Sequence, residues 1–311
     1  YLNSSYWSYF FLMGKERKPN FIIIGAMKSA TTSLYTYIKQ HPNVFMTKIK
    51  EPMFFNNLNK KYDFIIKGKK SKKITTFDEY YALFKDVMHE KAIGEASPSY
   101  LYNEQCAQLI KKHLPKTKII AIIRQPVERA YSNYLHAKRA DREPINNFED
   151  AFNSEESRIK KKWSPLYHYK SQGLYYKQLK KYYNLFDKKQ IKIILFQDLI
   201  NNPKKTTKEV FNFLEVDDTF TSDTSIKANV SGVPKGLTGW IIMKMRKYNL
   251  IPNIEFNRIL PRVIIAIILK TIYSKPDKID KRLIDKLTNK YYKKDIKKLE
   301  LLIEKNLSHW L

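Results

Sequence analysis

The sequence predicts an α/β fold, a central parallel sheet flanked by helices, with a helical portion toward the C-terminal end. Two local observations lead there. Phe21 to Ile24 and the isoleucine-rich run within Lys118 to Arg124 are short and continuously apolar, the pattern of strands buried on both faces. Each stops in a turn that opens a helix, at Gly25 in the first case and at Gln125-Pro126 in the second. The third observation is scale: 311 residues, 43% of them hydrophobic, suffice for one large domain with a substantial core.

Taken in order, residues 1–17 are aromatic and then basic without clean periodicity, and read as a lead-in segment to a domain over 18–311. After the first strand, Leu34, Tyr35 and Ile38 recur at helical spacing, with Ser29, Thr31 and Thr32 expected to supply capping hydroxyls. His41-Pro42-Asn43 makes a turn, and Val44 to Met46 reads as a second strand. Glu51-Pro52-Met53-Phe54-Phe55 follows a basic loop, and Lys67 to Lys73 is a solvated charge run. Phe77 to Val87 is expected to be helical, with Phe77, Tyr80, Tyr81 and Phe84 on its apolar face. Ala92 to Glu95 is a strand candidate ending in the polar loop Ala96 to Tyr100. Lys118 to Arg124 is the clearest buried strand after the first, and its helix runs to about Arg139. Residues 139–171 are polar with scattered aromatics and suit an inserted lid. Leu174 to Phe186 and Lys204 to Leu214 read as helices on either side of a strand over Ile191 to Phe196. Residues 240–311 read as helices, the last with a 3.6-residue period over Ile296 to Leu302.

The loop from Gly25 to Thr31 concentrates chemistry. It delivers backbone N–H groups to a helix N-terminus beside the Lys28 ammonium and several hydroxyls, which suits a phosphate or a sulfate. A nucleoside triphosphatase loop would need Gly and Lys at positions 30 and 31; Ala30 and Thr31 stand there instead. Ligands of open α/β sheets bind beyond the carboxyl ends of the strands, the edge where Gly25, Glu95 and Arg124 would meet.

Composition narrows the classes. With 58 Lys+Arg against 30 Asp+Glu, the formal charge is +28, which implies an anionic partner or a compositional bias. One cysteine, Cys106, excludes an intrachain disulfide and a Cys-rich metal site, and reads as a small core residue. No His-x-x-x-His pair or dense carboxylate cluster appears, so the chemistry expected is metal-free. The longest apolar run, Val263 to Leu269, falls far short of the roughly 20 residues that cross a bilayer. No signal peptide is recognisable, and the chain starts at Tyr1 rather than Met. The expectation is a cytoplasmic or peripheral-membrane protein if bacterial, with the Golgi lumen left open.

These residues resemble a known family. GAMKSATTSLYTYIKQHP is similar to the 5′-phosphosulfate loop of the sulfotransferases that use 3′-phosphoadenosine 5′-phosphosulfate (PAPS), and AIIRQPVERAYSNYLHA to their 3′-phosphate motif. GEASPSYLY, Gly173-Leu174-Tyr175 and the terminal LSHWL also match, especially with the heparan-sulfate branch and its bacterial relatives. The resemblance covers about residue 18 to the end and implies a fold similar to the P-loop kinases. It implies that Lys28, Ser29, Ala30, Thr31, Thr32 and Ser33 bind the 5′-phosphosulfate, that Arg124 and Ser132 hold the 3′-phosphate, and that Lys235 lies in a nucleotide-covering loop. Glu51 takes the place of the general base, with Lys28 stabilising the leaving phosphate. The acceptor implied is a hydroxyl of a carbohydrate or glycolipid, without nucleic acid and with peripheral membrane association a further expectation. Met53 and Ala96 depart from the heparan pattern, where His and Lys are common.

Other readings stand beside this one. A small-molecule kinase would use a similar loop, and a basic nucleic-acid or membrane-surface binder would use the charge alone. Arg129 is read mainly as a structural ion-pair residue. His41 and His136 are alternative bases. Trp163 and Tyr167, with Tyr169, are candidates to stack on a sugar ring. Basic residues such as Lys244, Arg246, Arg258 and Arg262 beside Val263 to Leu269 suggest a helix at a membrane interface, with a buried core helix as the rival.

Overall fold

The computed structural model describes residues 17–58, 73–225 and 278–311, together with the backbone of two short strands at 233–234 and 273–274. The expectations for residues 1–16, for Lys235, for most of the Lys67 to Lys73 run and for 240–272, Val263 to Leu269 included, lie outside the described residues.

In chain order the elements are β1 (Phe21–Gly25), α1 (Thr31–Ile38), β2 (Val44–Met46), α2 (Phe54–Asn57), α3 (Phe77–Tyr81), β3 (Ala92–Ala96), α4 (Cys106–His113), β4 (Lys118–Ile123) and α5 (Pro126–Arg139). There follow α6 (Phe148–Asn153), α7 (Glu155–Lys160), α8 (Tyr175–Tyr183), β5 (Ile191–Leu195), α9 (Phe196–Asn201) and α10 (Pro203–Leu214). The short β6 (Val233–Pro234) and β7 (Tyr273–Ser274) pair antiparallel, and α11 (Lys281–Leu287) and α12 (Lys293–Ile303) close the chain.

Strands β2-β3-β1-β4-β5 form one parallel sheet in that order. Successive side chains of a strand point to opposite faces, and the isoleucines divide accordingly. Ile22, Ile24, Ile119 and Ile123 join a core with Tyr175, Leu179, Tyr292 and Ile296, while Phe21, Ile23, Ile120 and Ile122 pack against Leu34, Ile38, Val210 and Phe211. Helices therefore cover both faces, which is why the strands need no polar side.

The helix α5 shows how a sequence fixes its own ends. The Gln125 side chain accepts from Glu128 N at 2.9 Å, Pro126 occupies the first turn, and His136, Lys138 and Arg139 lie at the negative end of the dipole. The expected helix over Phe77 to Val87 is shorter: α3 gives way to a 3-10 turn over Ala82–Phe84, after Thr76 and Glu79 cap its start reciprocally. The stretch 139–171 packs inward, with Phe148, Phe152 and Tyr169 in the main core. There Arg158 donates two hydrogen bonds of 2.7 Å to Glu143, which also accepts from the Tyr169 hydroxyl at 2.6 Å. Cys106 is fully buried, as its solitary occurrence suggested.

Candidate active site

The site forms where β1, β3 and β4 end. Gly25 closes β1 because a Cβ there would stand 2.6 Å from the Leu101 Cβ, and Leu101 N donates to Ile24 O at 2.8 Å to hold the two loops together. The chain then turns through Lys28 at φ 67° and Ala30 at φ 62°, a left-handed region that side-chain-bearing residues seldom occupy. Such geometry marks functional loops when the surroundings enforce it. Ala30 is itself the N-cap of α1, and no side chain caps the helix, so the capping expected of Ser29, Thr31 and Thr32 is not made. The left-handed turn buries Ser29 instead, where the buried Tyr175 hydroxyl is its polar neighbour. Thr31 is also buried, while Thr32 and Ser33 are half-buried.

Lys28 lies in a field of like charge. Burial first, then Arg139, Arg124 and Lys50, bring its pKa down to about 8, while Glu51 pulls the other way. His136 belongs to the same cluster: burial, Lys28, Arg139 and Arg142 lower its pKa to about 4, so the ring is neutral at pH 7. Arg139 Nη2 donates to His136 Nδ1 at 3.2 Å, which leaves the ring proton on Nε2 and makes that nitrogen a donor. His136 is thus poorly suited to take a proton. Lys50, His136, Arg139 and Arg142 were not among the predicted binding residues, yet the sequence held a signal. Ser132, His136 and Arg139 are spaced i, i+4, i+7 and share one face of α5.

Glu51 projects from a loop that β3 organises. Its N–H donates to Ala96 O at 3.1 Å, its side chain pairs with Lys50, and 36% of that side chain is exposed. Glu51 and Met53 both take positive φ, 60° and 52°. The carboxylate is therefore held, accessible, among the cations that surround Lys28.

On the β4 side, Arg124 reaches Glu128 through Nε and Nη2, each at 3.1 Å, and its guanidinium lies 4.4 Å from the Phe196 ring centroid. With Gln125, Glu128, Gln197, His309 and Trp310 it lines a cavity of about 80 Å³. Ser132 is half-buried on α5. Arg129 is fully buried and donates to Tyr169 O at 2.6 Å and to Gln172 Oε1 at 3.4 Å, which gives it the structural place expected, though its partners are neutral rather than a carboxylate.

The remaining candidates separate cleanly. His41 is buried against Phe211 and Phe220, with Nε2 2.9 Å from Asp217 O and Nδ1 accepting from Asn43 N at 2.9 Å; both nitrogens are committed. Tyr167 is buried and its hydroxyl donates to Arg142 O at 3.2 Å, so its ring belongs to the interior rather than to a sugar-stacking surface. Tyr169 is fully buried as well. Trp163 is half-buried, 5.0 Å from the Arg158 guanidinium, and keeps part of its surface open. No group of three or more potential metal-ligating side chains exists among the described residues. None of their helices is long and apolar enough to cross a membrane.

The fold is that of a P-loop-like enzyme, with the loop after β1 and its cluster of cations set beside a carboxylate. The chain belongs to the sulfotransferase domain family, which matches residues 18–239 and bears out the resemblance read from the two motifs. A sulfotransferase from Alicyclobacillus acidocaldarius has a crystal structure similar to this one, with a TM-score of 0.71 and 29% identity, covering 94% of this chain and 99% of that chain. Among curated relatives, heparan sulfate glucosamine 3-O-sulfotransferase 3B1 of Homo sapiens is 28% identical over 215 residues, 67% of this chain and 48% of that protein. The membrane-associated sulfotransferase kil1 of Dictyostelium discoideum is 34% identical over 116 residues, 37% of this chain and 22% of that protein. The chain spans less than half the length of these curated relatives.

Proposed function

We propose that this protein transfers a sulfuryl group from PAPS to a hydroxyl of a carbohydrate or glycolipid acceptor. One observation carries the reading: Arg139, Arg124 and Lys50 all act on Lys28 at the end of β1, with the Glu51 carboxylate opposing them. A polyanionic donor neutralises that surplus. Lys28 and the loop Ser29 to Ser33 would hold the 5′ end. Arg124 and Ser132 would hold the 3′-phosphate, Arg124 exchanging its Glu128 partner for a doubly charged one. Lys235 is the covering-loop candidate.

Bound PAPS supplies an activated sulfuryl group. Glu51 takes the proton of the acceptor hydroxyl as its oxygen bonds to sulfur, and Lys28 offsets the negative charge left on the departing phosphate. No metal is required. Lys50 pairs with Glu51, Arg139 acts on Lys28 and Arg142 acts on His136; this basic setting would favour an acceptor that is itself anionic, and the heparan sulfate activity named for a relative agrees with that class. Trp163, half-buried with the Arg158 guanidinium 5.0 Å from its ring, is the one of the aromatic candidates that keeps some exposure for a sugar.

Incubation with labelled PAPS and a panel of sulfated glycans, neutral glycans, glycolipids and phenols tests the reading. Label should pass to the anionic glycans or glycolipids; transfer from ATP with none from PAPS would favour the kinase reading.

A further inference from the structure

The carboxyl group buried deepest at the site is not the one exposed to an acceptor. Glu95, in β3, is fully buried, as are Ser97, Tyr80 and Tyr100 around it. It accepts from the Ser97 hydroxyl at 2.7 Å and from the Tyr80 hydroxyl at 3.2 Å. The Tyr100 hydroxyl is near enough to help hold its charge. Two of these hydroxyls look the other way as well. Ser97 Oγ accepts from Met53 N at 3.0 Å, and the Tyr100 hydroxyl accepts from Phe55 N at 3.3 Å.

The consequence is a two-step tether. The Ser97 hydroxyl turns its proton toward Glu95, which frees its lone pairs for the Met53 N–H of the segment that follows Glu51, while the neighbouring Tyr100 hydroxyl accepts from Phe55 N in the same segment. That segment is the one with left-handed backbone at both Glu51 and Met53. Without a constraint it would relax to an ordinary conformation, and the Glu51 side chain would swing with it. Glu51 N–H is fixed in parallel by Ala96 O, on the residue after Glu95.

We propose that Glu95 is a positioning residue: through Ser97 it locks the strained Glu51 to Phe55 segment at Met53 so that the Glu51 carboxylate stays aimed at the reacting centre. The inference rests on the reading of Glu51 as the base. The ionised carboxylate does this better than an amide, because it can only accept and so orders the Ser97 proton inward. Burial first, opposed by hydrogen bonds from Ser97, Tyr100 and Tyr80 and aided by Glu51, brings the Glu95 pKa up to about 7, so the accept-only form predominates above that pH.

The test is a double-mutant cycle on sulfuryl transfer, with PAP-induced melting shifts measured alongside. Glu95→Gln should lower kcat roughly tenfold while leaving KM for PAPS and the PAP melting shift as in the parent. In the Glu51→Gln background the same substitution should change the residual rate less than about twofold, because there is no carboxylate left to aim. Ser97→Ala, which removes only a hydroxyl, should show the same loss in kcat alone if Glu95→Gln fails to fold. An equal loss in both backgrounds, or a Glu95→Gln enzyme with normal kcat beside a crippled Glu51→Gln, would overturn the positioning role. Normal turnover by Glu51→Gln would instead overturn the base assignment, and the proposal with it.

Discussion

At the scale of single residues, Lys28 and Arg124 are proposed to divide the work of anion binding, and each would have its own signature. The folded-state pKa of Lys28 is depressed to about 8 from 10.5, so the unfolded chain binds more protons between those values. The free protein should therefore gain stability from this group as pH rises through that window. Binding of an anion has the opposite sign, since it needs the ammonium. The melting shift produced by PAP should be full at pH 7 and shrink between pH 8 and 9.5; a shift unchanged across that range would remove Lys28 from the contact. Arg124→Ala should abolish the advantage of PAP over adenosine 5′-phosphate, which lacks the 3′-phosphate, and a difference that survives would place the 3′-phosphate elsewhere. Lys28, Glu51 and Arg124 could be proposed from sequence because each sits in a local motif. The contacts of Ser97 and Tyr100 with the Glu51 loop could not, because they depend on β3 and that loop being brought together over more than forty residues of sequence.

At the scale of elements, the sheet was the most readable part. Isoleucine runs over Phe21–Gly25 and Lys118–Ile123 can satisfy their apolar faces only between two helical layers, and both became central strands. Helix α5 was legible to its last residue, since Gln125, Pro126 and the terminal His136, Lys138 and Arg139 mark both ends. Helices α4 and α9 were not anticipated. In α4 only Cys106, Ala107 and Ile110 are buried, too narrow an apolar face to stand out beside Lys111, Lys112 and His113. The 139–171 stretch suggested an inserted lid because it is polar and charged with scattered aromatics; within it Arg158 and Glu143 are almost wholly buried and satisfy each other. Burial alone would raise the Glu143 carboxyl; the bonds from Arg158, Tyr169 and the Ile145 N–H hold it below its usual range. Breaking such a pair leaves an uncompensated buried charge. Glu143→Ala should cost about 3–5 kcal/mol in denaturant unfolding, and a loss under about 1 kcal/mol would mean that the pair is not buried in solution.

At the scale of the whole molecule, the formal charge of +28 acts beyond any one contact. Among the described residues several lysines are already matched at the surface, as Lys48 is to Asp86 and Lys286 to Glu149, and such exposed pairs add little stability. The remaining excess raises the local concentration of anions and should speed their capture, so KM for an anionic acceptor should rise with ionic strength while kcat changes little. Flat salt dependence of KM would assign the charge to composition instead. The central claim is that one loop and one carboxylate make this fold a sulfuryl-transfer site. The most direct measurement follows label from PAPS to an anionic glycan for the parent, Lys28→Ala and Glu51→Gln proteins, with PAP melting shifts in parallel. The account predicts transfer by the parent, loss of both transfer and PAP binding in Lys28→Ala, and a fall in kcat of roughly 10² or more with PAP binding intact in Glu51→Gln. Transfer by Glu51→Gln at the parent's rate, or no transfer to any acceptor by a parent protein that binds PAP, would contradict it.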